Sequence, residues 1–270
     1  MLVKELLAEL LDMFPLEDAE PWDHVGLSVG DPSAQVTGVA CALDAVPANV
    51  RRARELGANV LLTHHPVYIK APDAFTPAEA LRPTAGTTVY EVARTGVSII
   101  SLHTNLDRSL EARHALPSHL GLTPVSSLEH PDTPDATGLG ALCELSDPLG
   151  LDPFALRAAR AFDTEPRVWG DYASQLSRVA FLGGSLGDFG ELAIMAGVDA
   201  IVCGEAGYHV AQDLMLRGLA VILLGHDRSE EPFTSVLADA ARKAGVASDG
   251  IRIIPGPRQW RTVTQEGDRP

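Results

Sequence analysis

The chain has 270 residues, 46% of them hydrophobic and 21% charged, enough to bury a sizeable core as one large domain or two smaller ones. A formal net charge of -15 argues against electrostatic tracking of bulk nucleic acid or of anionic membranes, but leaves room for a nucleotide whose phosphates meet a metal or a local basic patch. No apolar run approaches the ~18 residues of a membrane span, and no basic segment followed by a long apolar stretch opens the chain, so a soluble, cytoplasmic protein is expected.

Residues 2–14 carry Leu2, Leu6, Leu7, Leu10, Leu11 and Phe14 at helical spacing, with Pro15 as a stop. Strand signals then fall at 36–43, 59–63, 97–102, 139–145, 167–169, 179–182, 199–203, 220–224 and 251–254. Helical patterns lie between most of them, at 48–56, 88–95, 108–120, 153–161, 208–217 and 233–243. Continuous apolar strands alternating with helices predict an α/β fold with a mostly parallel sheet covered on both faces. Cys41, Cys143 and Cys203 each sit inside an apolar run and none forms a CxxC pair, so buried, reduced thiols are expected and thiolate zinc binding is not.

The two halves echo each other. Gly38-Val-Ala-Cys-Ala-Leu-Asp aligns with Arg178-Val-Ala-Phe-Leu-Gly-Gly, and Gly57-Ala-Asn-Val-Leu-Leu-Thr-His64 with Gly197-Val-Asp-Ala-Ile-Val-Cys-Gly204, both displaced by 140 residues. Every αβ corner of this type looks similar, but a shared displacement favours a duplication. The halves are taken as 1–129 and 130–270, with 130–137 as the linker. The first half carries extra Pro-rich residues at 66–86, a loop suited to a lid or a partner contact.

Ligands in parallel αβ sheets bind beyond the carboxyl ends of strands, and chemistry-bearing side chains gather there. His64-His65-Pro66 offers two imidazoles that point opposite ways on extended chain, so the pair suits two ions a few ångströms apart better than one. In His103-Thr-Asn-Leu-Asp107, Asp107 taken alone reads more readily as the cap of the helix that follows than as a ligand, and His103 as a ligand, an acid–base group or a strand-end histidine. In His226-Asp-Arg-Ser-Glu230, the i, i+4 spacing can bring imidazole and carboxylate to one ion, while Ser229 and Glu230 also read as a helix start. Gly183-Gly-Ser-Leu-Gly187 reads as a tight turn more readily than as a phosphate cradle, since it lacks the Lys-Ser/Thr ending of a P-loop. Glu205 and His209 either line a cleft or cap and cover a helix. No Gly-x-Ser-x-Gly elbow is present.

These segments in this order resemble the Nif-three-like dinuclear metal-centre family, also called the GTP cyclohydrolase I type 2 homologs. The resemblance starts at Glu20-Pro-Trp-Asp-His24-Val-Gly-Leu-Ser-Val-Gly30 and continues through Thr63-His64-His65-Pro66, His103-Thr-Asn-Leu-Asp107, Gly183-Gly-Ser185, Gly204-Glu205 with Tyr208-His209, and Gly225-His226 with Ser229-Glu230. The chain departs from the family pattern at His24, where Asn is usual, at Leu186, where a small residue is usual, and at Asp227, where an aromatic residue often stands.

The resemblance implies two intertwined, duplicated α/β repeats with mixed, mostly parallel sheets and a metal site in the cleft between them. It implies His64, His65, Asp107, His226 and Glu230 as ligands of two divalent ions (zinc, iron, manganese, cobalt or nickel), with Glu230 as the bridge. It further implies a homo-oligomer, a ring-shaped hexamer. The leading expectation is a metal-dependent hydrolase acting on a nucleotide or related small molecule, with His103 and His209 as proton carriers. The alternative is a non-catalytic metal-binding scaffold or regulatory interaction protein. A metal-dependent phosphoesterase would need basic phosphate contacts, for which only Lys70, Arg108 and Arg228 lie near the motifs.

Overall fold

A computed structural model describes residues 1–77, 85–257 and 259–263. Of the 66–86 loop, residues 78–84 lie outside the described residues. The chain opens with helix α1 (Val3–Met13) and strand β1 (Gly26–Val29), then runs β2 (Val39–Ala42), α2 (Pro47–Glu55), β3 (Val60–Thr63), α3 (Ala85–Thr95), β4 (Ser98–Ser101), the single turn α4 (Thr104–Asp107) and α5 (Leu110–His119). It continues through β5 (Ala141–Gly150), α6 (Leu151–Ala161), β6 (Arg167–Trp169), β7 (Gln175–Phe181), α7 (Phe189–Met195), β8 (Ala200–Cys203), α8 (Tyr208–Leu216), β9 (Ala220–Leu223), α9 (His226–Glu230), α10 (Phe233–Lys243) and β10 (Ile251–Ile253).

The strands form two five-stranded sheets, in the orders β1-β4-β3-β2-β10 and β5-β7-β8-β9-β6. Each has a parallel centre, β2-β3-β4 or β7-β8-β9, with an antiparallel strand (β1 or β6) beside its third member. The registers repeat as well. Val39 faces Val60 and Val179 faces Ala200, each displaced by the 140 residues seen in the sequence. The mixed, mostly parallel α/β architecture expected from the sequence is therefore present. At the far edges the halves differ: β5 joins β7 antiparallel, whereas β10, the last strand of the chain, joins β2 of the first sheet in parallel.

The apolar runs are continuous because both faces of each sheet are covered. Val60 and Leu62 of β3 and Ala200 and Val202 of β8 point into one shared core with α1, α5, α6 and α10. Their neighbours Leu61 and Ile201 point outward, under α2 and α3 in the first sheet and under α7 and α8 in the second. Full burial of one such leucine or valine is worth about 1.5–3 kcal/mol. Because the two sheets share a core, the carboxyl ends of β3, β4, β8 and β9 converge.

The sequence reading missed β1, α7 and the one-turn helices α4 and α9. β1 is an edge strand interrupted by a bulge, and α7 is short with Gly190 inside it, so neither carries a full period of apolar residues.

Candidate metal centre

His64 and His65 follow β3, His103 and Asp107 follow β4 as the N-cap and the last residue of α4, and His226 and Glu230 are the two ends of α9. The structure brings all six together. The His64 ring lies 5.2 Å from that of His65 and 5.1 Å from that of His103, and His65 lies 5.4 Å from His226, centroid to centroid. Glu230 reaches into the middle: Oε1 is 3.7 Å from His64 Nε2, and Oε2 is 2.9 Å from His65 Nε2 and 3.1 Å from His226 Nε2. Asp107 Oδ1 stands 3.6 Å from His64 Nε2. Ligand atoms of His64, His65 and His103, and of His65, His226 and Glu230, form two groups that could each hold a metal ion.

The second nitrogen of each ring is already engaged. His64 Nδ1 lies 3.0 Å from the Leu102 carbonyl oxygen, which can only accept, so the Nδ1–H donates and the lone pair sits on Nε2. His65 Nδ1 meets Asp44 Oδ1 at 2.8 Å, and His226 Nδ1 meets Glu205 Oε1 at 3.0 Å. Outer carboxylates of this kind fix the tautomer and aim of ligating imidazoles. Three atoms point inward at ligand positions: His64 Nε2 and Asp107 Oδ1 are buried without a hydrogen bond, and buried Glu230 Oε2 meets only the Nε2 atoms of His65 and His226, themselves candidate ligand atoms. Leaving buried polar atoms unsatisfied costs about 1–3 kcal/mol each, and a divalent cation satisfies all three. The donor set of imidazoles and carboxylates fits zinc, iron, manganese, cobalt or nickel.

The charges match the geometry. Burial disfavours the His65 imidazolium, but Asp44 and Glu230 outweigh it and lift its pKa to about 10. Glu230 raises His226 to about 9 against burial, with help from Glu205. Burial would raise Glu230, yet the surrounding histidines hold it well below the usual carboxylate range. Asp107 is raised, by burial above all. Positive charge is drawn to this spot, as a cation site requires.

Two readings of the motifs as helix caps are corrected here. The helix after Asp107 is capped by Ser109, whose Oγ accepts from the Ala112 N–H at 3.0 Å, leaving Asp107 free to face His64. Ser229 caps nothing: its Oγ accepts from the Gly184 N–H at 2.9 Å and donates to the His226 carbonyl at 2.8 Å, tying the 183–187 turn to α9. That turn is a close-packing device. A Cβ on Gly184 (φ +62°) would lie 2.3 Å from Glu230 Oε1.

His103 stands beside His64 and His65, with its Nδ1 held by Asp23 Oδ1 at 2.9 Å. Asp23 also accepts from the Thr104 N–H at 3.1 Å. Burial would raise Asp23, but His103 and Thr104 hold it well below the usual range. The structure does not bring His209 to the centre. It is exposed on the first turn of α8 and packs edge-on against Tyr208. The phosphate-contact idea loses Arg108, which is taken up by Glu20, Glu129 and the Asp18 carbonyl. Sequence reasoning did not single out Asp23 or Asp44, and left Glu205 open. Their signal was a carboxylate at or near a strand end, with no spacing to link it to a distant histidine.

The profile of the Duf34/NIF3 (NGG1p interacting factor 3) family matches residues 1–254, so the chain belongs to that family. It is 31% identical over 239 residues to a protein of Clostridium acetobutylicum named GTP cyclohydrolase 1 type 2 homolog, covering 87% of this chain and 88% of the relative. A Streptomyces coelicolor protein of the same name is 32% identical over 238 residues, covering 86% and 82%. Among solved structures, a Staphylococcus aureus hypothetical protein superposes with a TM-score of 0.87 at 22% identity, covering 97% of this chain and 99% of that one. A Bacillus cereus protein related to NIF3 superposes at 0.82 with 20% identity and the same coverage.

Proposed function

We propose that this Duf34/NIF3 chain is a dinuclear metal-dependent hydrolase acting on a nucleotide or related small molecule. The observation that carries the reading is that the cluster of unsatisfied ligand atoms opens, at His65 and His226, onto a cleft of about 770 Å³. Structural metal sites are closed by protein ligands, whereas catalytic ones keep an open side beside a ligand-sized cavity.

His64, His65, Asp107, His226 and Glu230 would hold the ions, with Glu230 presenting one oxygen to His64 and the other to His65 and His226. Bound divalent ions supply Lewis-acid polarisation and acidify water at neutral pH. The chain's own residues set up the rest. Asp44, Glu205 and the Leu102 carbonyl hold three imidazoles in one orientation each. His103, backed by Asp23, leaves its Nε2 as the group that can take or give a proton next to the cluster. The naming of the relatives brings a purine nucleotide into the substrate class, with opening of the imidazole ring of GTP as the specific reaction to test.

A non-catalytic scaffold is the second reading, favoured by the exposed Met195, Tyr208 and Leu216 at 82%, 60% and 74% on α7 and α8, a surface suited to assembly into a homo-oligomeric ring. Metal analysis of protein purified without chelator, followed by a hydrolysis screen of nucleosides and nucleotides, separates the two. Two ions per chain with turnover that is lost in His65→Ala and Glu230→Ala supports the hydrolase; metal without turnover of any compound favours the scaffold. A metal-replete wild type that retains no ion refutes the centre itself.

A further inference from the structure

The cleft beside His65 and His226 is closed on one side by a segment that lies beyond the family match. Residues 259–262 return from β10 across the mouth of the cleft, past position 254 where the profile ends. The strap is fastened at both sheets. Gln259 Nε2 reaches Asp44 Oδ2 at 3.5 Å, at the end of the first sheet, on the carboxylate that orients His65. Trp260 Nε1–H donates to Asp227 Oδ1 at 2.7 Å, beside His226 and beyond β9 of the second sheet.

The indole is seated by the backbone beneath it. Gly225 has φ +100°, and a Cβ there would lie 2.2 Å from Trp260 Cζ2, so the ring rests on a spot only glycine leaves open. With the Nε1 and Cζ2 edge fixed in this way, Trp260 as a whole is 40% exposed and lines two cavities, the cleft of about 770 Å³ and a second of about 450 Å³.

We propose that Trp260 is the specificity-determining wall of the cleft and that the part of the substrate it recognises is a planar heteroaromatic ring. Three features favour this class. Leu43, Pro166 and Leu223 join Trp260 in giving the cleft apolar walls, and its volume suits a nucleoside. Glu165, two residues before β6 begins, and Arg167, its first residue, both line the cleft, and no side-chain hydrogen bond or ion pair engages either among the described residues. They offer an acceptor and a donor for the edge of such a ring. Asp44 and Glu205 are occupied with His65 and His226, and among the described residues Arg167 is the one Lys or Arg side chain that lines the cleft, whereas Arg160, Arg228 and Arg261 line the second cavity behind the ring. The cleft side of the ring thus suits a stacked base, and the arginines stand on its other side.

The inference rests on the hydrolase reading only for what happens after binding; binding is measured separately. Zinc-loaded protein is dialysed to equilibrium against guanosine, cytidine and ribose. The wild type retains the nucleosides and not ribose. Trp260→Ala weakens nucleoside binding at least about tenfold, in line with the worth of one base–aromatic stack, while zinc content stays unchanged. Trp260→Phe, which keeps a ring but not the N–H, restores most of the affinity. Equal affinity in wild type and Trp260→Ala overturns the proposal, as do ribose binding as tightly as guanosine, failure of the wild type to bind any nucleoside, and loss of zinc from Trp260→Ala, which would make the ring a structural prop for His226. Nucleoside binding through Trp260 in a protein that hydrolyses nothing supports the proposal and refutes the hydrolase reading.

Discussion

Gly184 and Gly187 lie in one turn, both with left-handed backbone (φ +62° and +50°), and they separate strain from loss of the metal centre. Alanine at either position carries the same penalty of about 1–2 kcal/mol for a left-handed L-residue, which for a chain of this size lowers Tm by about 2–8 °C. Their surroundings differ. A Cβ on Gly187 meets nothing within 4 Å, whereas on Gly184 it falls 2.3 Å from Glu230 Oε1 and 3.2 Å from His226 Cε1. The first distance is about 0.7 Å short of the 3.0 Å that Cβ atoms respect, so Glu230 must withdraw from the position it shares with three imidazoles. Displacing a ligand costs at least as much as disturbing its outer partner, about tenfold to a hundredfold in metal affinity. Elemental analysis after dialysis against a weak chelator, with thermal melts in parallel, reads both effects. Gly187→Ala melts lower and keeps its metal; Gly184→Ala melts lower, loses metal, and is no longer stabilised by added metal. A Gly184→Ala protein that holds metal as tightly as Gly187→Ala would refute the assignment of Glu230 as a ligand.

Other consequences are direct. His209→Ala leaves metal content and any turnover at wild-type levels, because the side chain is exposed on α8 and lines no part of the cleft; a loss in either measurement contradicts that placement. Burial holds the Cys41, Cys143 and Cys203 thiols up at about 12, so a thiol reagent near pH 8 labels none of them in the native protein and all three after denaturation; rapid native labelling would show that the core opens. Asp23 is ionised more readily in the folded protein than in the unfolded chain, so its contribution to stability is present above the unfolded value of about 3.9 and is lost as pH falls below it. The stability gap between wild type and Asp23→Asn therefore narrows on acidification below about pH 4, as denaturant melts over that range would show. Phe154→Ala removes a fully buried ring from the core shared by both sheets and lowers stability by about 3–5 kcal/mol, with one transition rather than two; separate melting of the two halves would contradict a common core.

The parallel strands were legible because burial on both faces leaves no alternation to confuse: 59–63 and 199–203 read as strands from the unbroken apolar runs Val60-Leu61-Leu62 and Ala200-Ile201-Val202-Cys203. The proposed ligands His64, His65, Asp107, His226 and Glu230 were legible as strand-end residues, but local chemistry favoured a helix cap over metal for Asp107 and weighed the two evenly for Glu230. Only the tertiary structure decides that question, by giving the caps other occupants: Ser109 takes the cap after Asp107, and Ser229 turns to Gly184. The supporting carboxylates were not legible, since the His65–Asp44 and His226–Glu205 contacts join residues with no periodic relation. Nor was the strap. The resemblance set an aromatic residue after the final histidine, this chain has Asp227 there, and the ring arrives instead from Trp260, 33 positions along the chain, hydrogen-bonded to that same aspartate.

The likeness of the two sheets explains why the ends of four strands meet, and the departures from symmetry shape the candidate metal centre. Displacement by 140 residues carries Asp44 onto Gly184, His64 onto Gly204 and His65 onto Glu205. In the first repeat these positions supply a carboxylate and two imidazoles. In the second, Gly184 and Gly204 supply space: a Cβ on Gly204 would strike the Gly184 carbonyl at 2.5 Å, Ser229 Oγ at 2.7 Å and His226 Cα at 2.8 Å. The short helix α9 can therefore sink between the two strand ends, bringing His226 and Glu230 against His65, with Glu205 behind His226 as Asp44 stands behind His65. Two identical repeats would present four histidines and nowhere for Glu230 to enter. The glycines of the second repeat are thus as much a part of the centre as the histidines of the first, and substitution at Gly204 should abolish metal retention as completely as substitution of Glu230, although Gly204 offers no ligand atom from a side chain.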